Sequence, residues 1–181
     1  MNLTLITPPV GYPVTLDEAK DYCRVDINDE DTLVSSLIGA AVTHAESITG
    51  RRFVSQQWRM DIEKFTSEIL LPYPNLISVD SIAYYDTANA QQTLNSSIYD
   101  VNGIGHIGSV KASYGQSFPS VYPRDDAVQI TFTCGYSAVP EGIKTAVNAI
   151  VSQLYYCRGE RLDNDFVCAM LGPYILRGFQ E

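Results

Sequence analysis

The chain has 181 residues, with 21 Asp and Glu against 12 Lys and Arg, and a formal net charge of -9. That acidic balance disfavours nonspecific capture of nucleic acid, which needs clustered basic side chains to displace phosphate counterions. At 45% hydrophobic and 18% charged, the composition is that of a globular protein. No apolar run reaches the ~20 residues of a membrane-spanning helix.

The opening stretch, Met1 to Pro13, lacks the charged segment and apolar block of a signal peptide, so a soluble, non-secreted chain is expected. Thr15 and Glu18 have capping-box spacing and predict a short helix to about Arg24. A longer helix is expected from Asn28, whose side chain can cap it, with Asp29, Glu30 and Asp31 favourably placed at the positive end of its dipole. Its apolar positions, Leu33, Val34, Leu37, Ile38, Ala41, Val42, Ala45 and Ile48, recur at three and four residues, and Gly50 is a natural stop.

From Phe53 to Tyr136 the period becomes 2. Trp58, Met60 and Ile62 alternate with Gln57, Arg59, Asp61 and Glu63, and Val128, Ile130, Phe132 and Cys134 alternate with Gln129, Thr131 and Thr133. Further strands are expected around Glu68 to Leu71, Val79 to Tyr85, Ile98 to Val101 and Ser109 to Tyr114, together forming a small antiparallel sheet folded over on itself. Helical periodicity returns after Pro140 with Ile143, Ala146, Val147, Ile150, Val151 and Leu154, extends through Tyr155 and Tyr156 to about Arg158, and can end at Gly159. A last short helix is expected over Phe166 to Leu171, followed by Gly172, Pro173 and an apolar tail. The fold class that emerges is α+β: a small helical bundle from both chain ends, with an antiparallel β-rich insertion between the helices.

Chemical motifs are sparse. Gly103-Ile104-Gly105-His106-Ile107-Gly108 spells GxGxxG, but strand alternation follows it where the nucleotide fingerprint needs a helix, so a glycine-rich hairpin turn is expected. Asp26 to Asp31 is rich in oxygen ligands yet lacks the Gly and Glu of a calcium loop, having Asp31 and Leu37 at those positions; helix capping explains it better. Cys23, Cys134, Cys157 and Cys168 form no CxxC pair, and the chain has 2 His, so no metal or cofactor is expected. His44 and His106 lack a recognised nucleophile context, and Asp125 and Asp126 read as turn residues. Charge is uneven: Asp17 to Asp31 holds seven acids and two bases, a net of -5. The tail carries large apolar groups, which either fold back on the core or dock on a partner.

The order of motifs resembles a known family. Val14-Thr15-Leu16-Asp17-Glu18-Ala19-Lys20, then Arg24-Val25-Asp26, Asp29-Glu30-Asp31 with Leu33, Ala45-Glu46 and Thr49-Gly50-Arg51, followed by Gln57-Trp58, is similar to the start of tailed-phage head-tail connector (adaptor or head completion) proteins. Val128-x-Ile130-x-Phe132-x-x-Gly135-Tyr136, then Val139-Pro140, Ile143-Lys144, Ala146, Tyr156 and Arg158, resembles the second half. Gly159 to Ala169 has no firm match.

The resemblance implies a non-enzymatic virion part, assembled in the host cytoplasm and located in the neck. It implies a single connector domain, with helices over about 15–50 and 140–171, the insertion over about 53–136 and a docking tail over about 171–181. Copies, usually twelve, would form a ring under the portal protein, let DNA pass without sequence-specific binding, and give the next neck or tail protein its platform; no membrane is involved. Leu171, Pro173, Tyr174, Ile175, Leu176 and Phe179 are the implied portal-docking residues. Asp17, Asp21, Asp26, Asp29, Glu30 and Asp31 are candidates for a channel lining or subunit interface, where acidic groups avoid adhesive phosphate contacts. Two other readings remain at this stage: a ligand- or carbohydrate-binding β-module stacking on its 12 Tyr, and a hydrolase using His44 or His106 with an acidic partner.

Overall fold

The computed structural model describes residues 1–157 and 163–176. The chain divides into two compact units: a strand unit, Met1–Val10 with Ser55–Tyr136, and a helical unit, Gly11–Val54 with Ser137 onward. The α+β class holds, with the N-terminal and C-terminal helices packing together and the antiparallel strands, all but the first, between them in sequence.

In the helical unit, α1 (Leu16–Cys23) opens on the expected capping box: Glu18 N–H donates to Thr15 Oγ1 at 3.2 Å, and Thr15 N–H donates to the Glu18 carboxylate at 2.7 Å. The backbone N–H bond from Thr15 holds the Glu18 carboxyl below its ordinary range. α2 (Asp31–Thr49) begins later than the sequence predicts, without a side-chain cap. Asn28 does not cap it; its Oδ1 accepts from Lys20 Nζ at 2.9 Å. Lys20 is 9% exposed, and an enclosed ammonium without oxygen partners costs more than a helix end open to water. α3 (Glu141–Cys157) packs on α1 and α2 through Ile143, Ala146, Val147, Ile150 and Val151, all buried. α4 (Asn164–Leu171) starts two residues before the predicted Phe166, because Asp163 accepts the Phe166 N–H and caps it. The predicted stop at Arg158 and Gly159 lies outside the described residues.

The strand unit has eight strands: β1 (Asn2–Thr7), β2 (Gln56–Ile62), β3 (Glu68–Leu70), β4 (Leu76–Tyr85), β5 (Gln91–Thr93), β6 (Tyr99–Asn102), β7 (Ser109–Ala112) and β8 (Val128–Cys134). They form a five-stranded sheet, β1-β2-β8-β4-β5, and a three-stranded sheet, β3-β7-β6, with every pairing antiparallel. The sequence reading lacks β1 and β5. The sheets share one core of Met60, Ile69, Leu71, Leu76, Ile82, Val110, Ile130 and Phe132. Alternation places Ile130 and Phe132 inward while Gln129, Thr131 and Thr133 form the polar face with Gln57 and Asp80. Among the described residues, no helix is long and apolar enough to cross a membrane.

Candidate functional site

The acidic segment is not uniform. Asp31 Oδ1 lies 2.6 Å from Lys20 Nζ, so its charge neutralises an ammonium held between α1 and the turn into α2. The Glu30 carboxylate accepts the Tyr155 hydroxyl, which ties the turn to the end of α3; Tyr156 adds a second tie by donating to the Cys23 carbonyl. These two acids are engaged within the bundle. Asp17, Asp21, Asp26 and Asp29 are exposed, and their carboxylates have no side-chain partner among the described residues. Asp17 and Asp21 stand one turn apart on α1, where like charges destabilise a helix by about 0.2–0.5 kcal/mol.

The stretch from Leu171 to Leu176 folds back on the helices. Leu171 is 0% exposed, a burial worth about 1.5–3 kcal/mol. A single 3-10 turn over Gly172–Tyr174 follows, and Arg51 Nε donates to the Tyr174 carbonyl at 2.6 Å. Leu176 N–H donates to the Thr49 carbonyl at 3.2 Å, at the end of α2. Tyr174 lies over the first turn of α3, where a Cβ on Gly142 would sit 2.6 Å from its hydroxyl oxygen. Of the predicted docking residues, Leu171 is therefore a core residue, and Tyr174, Ile175 and Leu176 are half-buried against the bundle. Pro173 is exposed, and Phe179 lies outside the described residues.

The other motifs hold no site. Gly103 to Gly108 forms the β6–β7 hairpin turn, as its sequence predicts, and His106 is exposed within it. His44 is half-buried on α2, its Nε2 enclosed and without a hydrogen-bond partner among the described residues. Among the described residues no cluster of His, Cys, Asp and Glu could hold a metal ion. Of the tyrosines in the strand unit, Tyr73 packs on Trp58, Tyr84 on Phe65, and the Arg124 guanidinium lies 3.7 Å above the Tyr85 ring, while Tyr114 and Tyr122 are exposed. Tyr73, Tyr84 and Tyr85 are therefore not part of an exposed row of the kind that a carbohydrate-binding face requires.

The family model of head completion proteins matches residues 14–167, which take in α1, α2, α3, the first turn of α4 and the whole β-rich insertion. The chain belongs to the head completion protein family. Head completion proteins are structural parts of a virion, so the non-enzymatic reading stands on membership of that family. Among curated proteins, none matches the sequence significantly.

The fold of this head completion protein is similar to that of solved chains over its whole length. One belongs to the neck of an empty gene transfer agent (GTA) particle computed with C6 symmetry, at TM-score 0.82 and 22% identity, with 100% of this chain and 99% of that chain covered. Another is from the virion of a native GTA particle, at TM-score 0.81 and 22% identity, with the same coverage. A third is from the neck of a native GTA particle computed with C12 symmetry, at TM-score 0.79 and 20% identity, again covering 100% and 99%. Sequence reasoning missed the seat of the tail: Gly142 reads as an unremarkable helix position, and only the fold brings Tyr174 onto it.

Proposed function

We infer that this head completion protein is a neck component that assembles as a ring of copies, twelve in number, beneath the portal, lets the packaged DNA pass and presents the platform on which the next neck or tail protein builds. The observation that carries the reading is the family match over residues 14–167, which spans both compact units. The full-length likeness to chains from necks computed with C6 and C12 symmetry supports rotational assembly. A closed ring needs heterologous interfaces, two different patches on each copy meeting around the axis. Asp17, Asp21, Asp26 and Asp29 are the acids free to face the DNA path or a subunit boundary, since Glu30 and Asp31 are engaged inside the bundle. Portal docking falls to Pro173, Tyr174, Ile175, Leu176 and Phe179; Leu171 anchors the segment to the bundle.

The test is to mix the purified protein with portal-bearing heads and image the vertex by electron microscopy. Added ring density of twelve-fold symmetry below the portal is the expected result. Intact portals without added density would overturn the reading. A chain ending at Leu171 keeps its core and should remain folded but fail to dock; docking by that truncation would remove the tail from the interface.

A further inference from the structure

The five-stranded sheet has β1 at one edge and β5 at the other. Strand β5 is only three residues long, Gln91–Thr93, and a very short edge strand is one way in which proteins prevent further pairing. By contrast, β1 runs over six residues, from Asn2 opposite Asp61 to Thr7 opposite Gln57. Beyond its ladder with β2, it makes no backbone hydrogen bond to any described residue. Asn2-Leu3-Thr4-Leu5-Ile6-Thr7 contains no charge and no proline, the side chains that normally turn away an added strand. The register irregularity falls between Leu5 and Thr7, and Pro8 and Pro9 come after the strand, so Asn2 to Leu5 remains a regular, open edge.

The apolar core surface also runs out to this edge. Leu3 lies opposite Met60 and Leu5 opposite Trp58, yet Leu5 is 41% and Ile6 45% exposed. At the start of the strand the surface opens into a cleft of about 390 Å³ lined by apolar Met1, Ile62 and Leu70 together with charged Glu63, Lys64 and Glu68.

We propose that the outer edge of β1 accepts an extended strand from a second copy of this chain, which joins the sheet by backbone hydrogen bonds and sets an apolar side chain in the adjoining cleft. A row of unpaired backbone N–H and C=O groups selects an extended peptide, and neighbouring pockets read its alternate side chains. Asn2 to Thr7 itself offers no charged side chain to a polyanion or an ionic partner, and the charges in the adjoining cleft, Glu63, Lys64 and Glu68, are of both signs. A ring supplies a neighbouring copy at every boundary, and this step rests on the ring reading above. Pairing β1 with the β1 of the neighbour would make a two-fold contact, whereas a ring built from one heterologous interface joins two different patches. The donor is therefore a different segment of the neighbouring copy.

Hydrogen exchange on the full chain, free and assembled on portal-bearing heads, tests this. The amides of Asn2 to Ile6 that point away from β2 should slow about tenfold or more on assembly, as newly bonded strand amides do. Leu5→Lys, at an exposed position, should leave the circular dichroism of the free chain unchanged and lower ring occupancy, while Thr87→Lys, in an exposed turn, should leave occupancy unchanged. Rings that form with Asn2 to Ile6 exchanging as fast as in the free chain overturn the proposal and leave the ring reading intact. Absence of rings overturns the ring reading and this proposal with it. Slowed β1 amides whose cross-links lead only to a different neck protein overturn the assignment to a second copy.

Discussion

Thr15 and Glu18 show how little sequence is needed to fix one helix end. Each satisfies a backbone N–H of the other, and Thr15→Ala removes one bond directly and loosens its reciprocal. The expected cost is about 1 kcal/mol, read by chemical denaturation. Because the Glu18 carboxyl is held below its ordinary range in the folded chain, its contribution is complete above the pKa of the unfolded chain and is lost as pH falls through the lowered folded value. The gap between wild type and Thr15→Ala should therefore narrow on acidification through that window. Gly108 shows the opposite dependence, on residues far away in sequence. A Cβ there would lie 2.4 Å from Leu76 Cδ2 and 3.1 Å from Leu71 Cδ1, and both leucines are fully buried. Gly108→Ala should cost about 1–3 kcal/mol by overpacking, measurable as a lowered unfolding midpoint.

Among the elements, the C-terminal turn after α4 carries the most specific expectation. Tyr174 rests where Gly142 leaves room, and the segment is held by bonds from Arg51 and Leu176 to carbonyl groups. Gly142→Ala should displace the Tyr174 ring without changing any residue of the tail. Proteolysis after Leu171 should then accelerate, and unchanged cleavage would show that the tail is not held at this seat. Leu171→Ala is expected to be different in kind, costing about 2–5 kcal/mol because it empties a site in the core. Comparing the two by thermal unfolding separates loss of the seat from loss of the bundle.

For the molecule as a whole, the net charge of -9 is the property to test. The protein should not shift linear duplex DNA in a gel at low ionic strength, because it lacks the clustered cations that release counterions. Asp17→Lys with Asp21→Lys, two exposed positions on α1, should produce a shift that disappears as salt is raised. In assembled particles the same double variant should slow DNA exit. Exit at the wild-type rate would place these acids away from the DNA path.

The sequence by itself determined the order helix, strand, helix, the capping box, the inward positions of β8 and the hairpin turn at Gly103 to Gly108. Each depends on residues a few positions apart, where period and capping chemistry act directly. Strand β1 carries the same alternation from Asn2 to Leu5, with Leu3 and Leu5 apolar and Asn2 and Thr4 polar, but a strand of six residues is identified only by its partner, and its partners in β2 lie fifty or more positions away. The tertiary structure alone decided which acids are structural and which are free. Asn28 and Asp31 have helix-start chemistry in sequence, and it is the enclosed ammonium of Lys20 that takes their oxygens. It alone seated Tyr174 as well, because a glycine in α3 leaves room for a tyrosine only once α2, α3 and the turn after α4 have met in space.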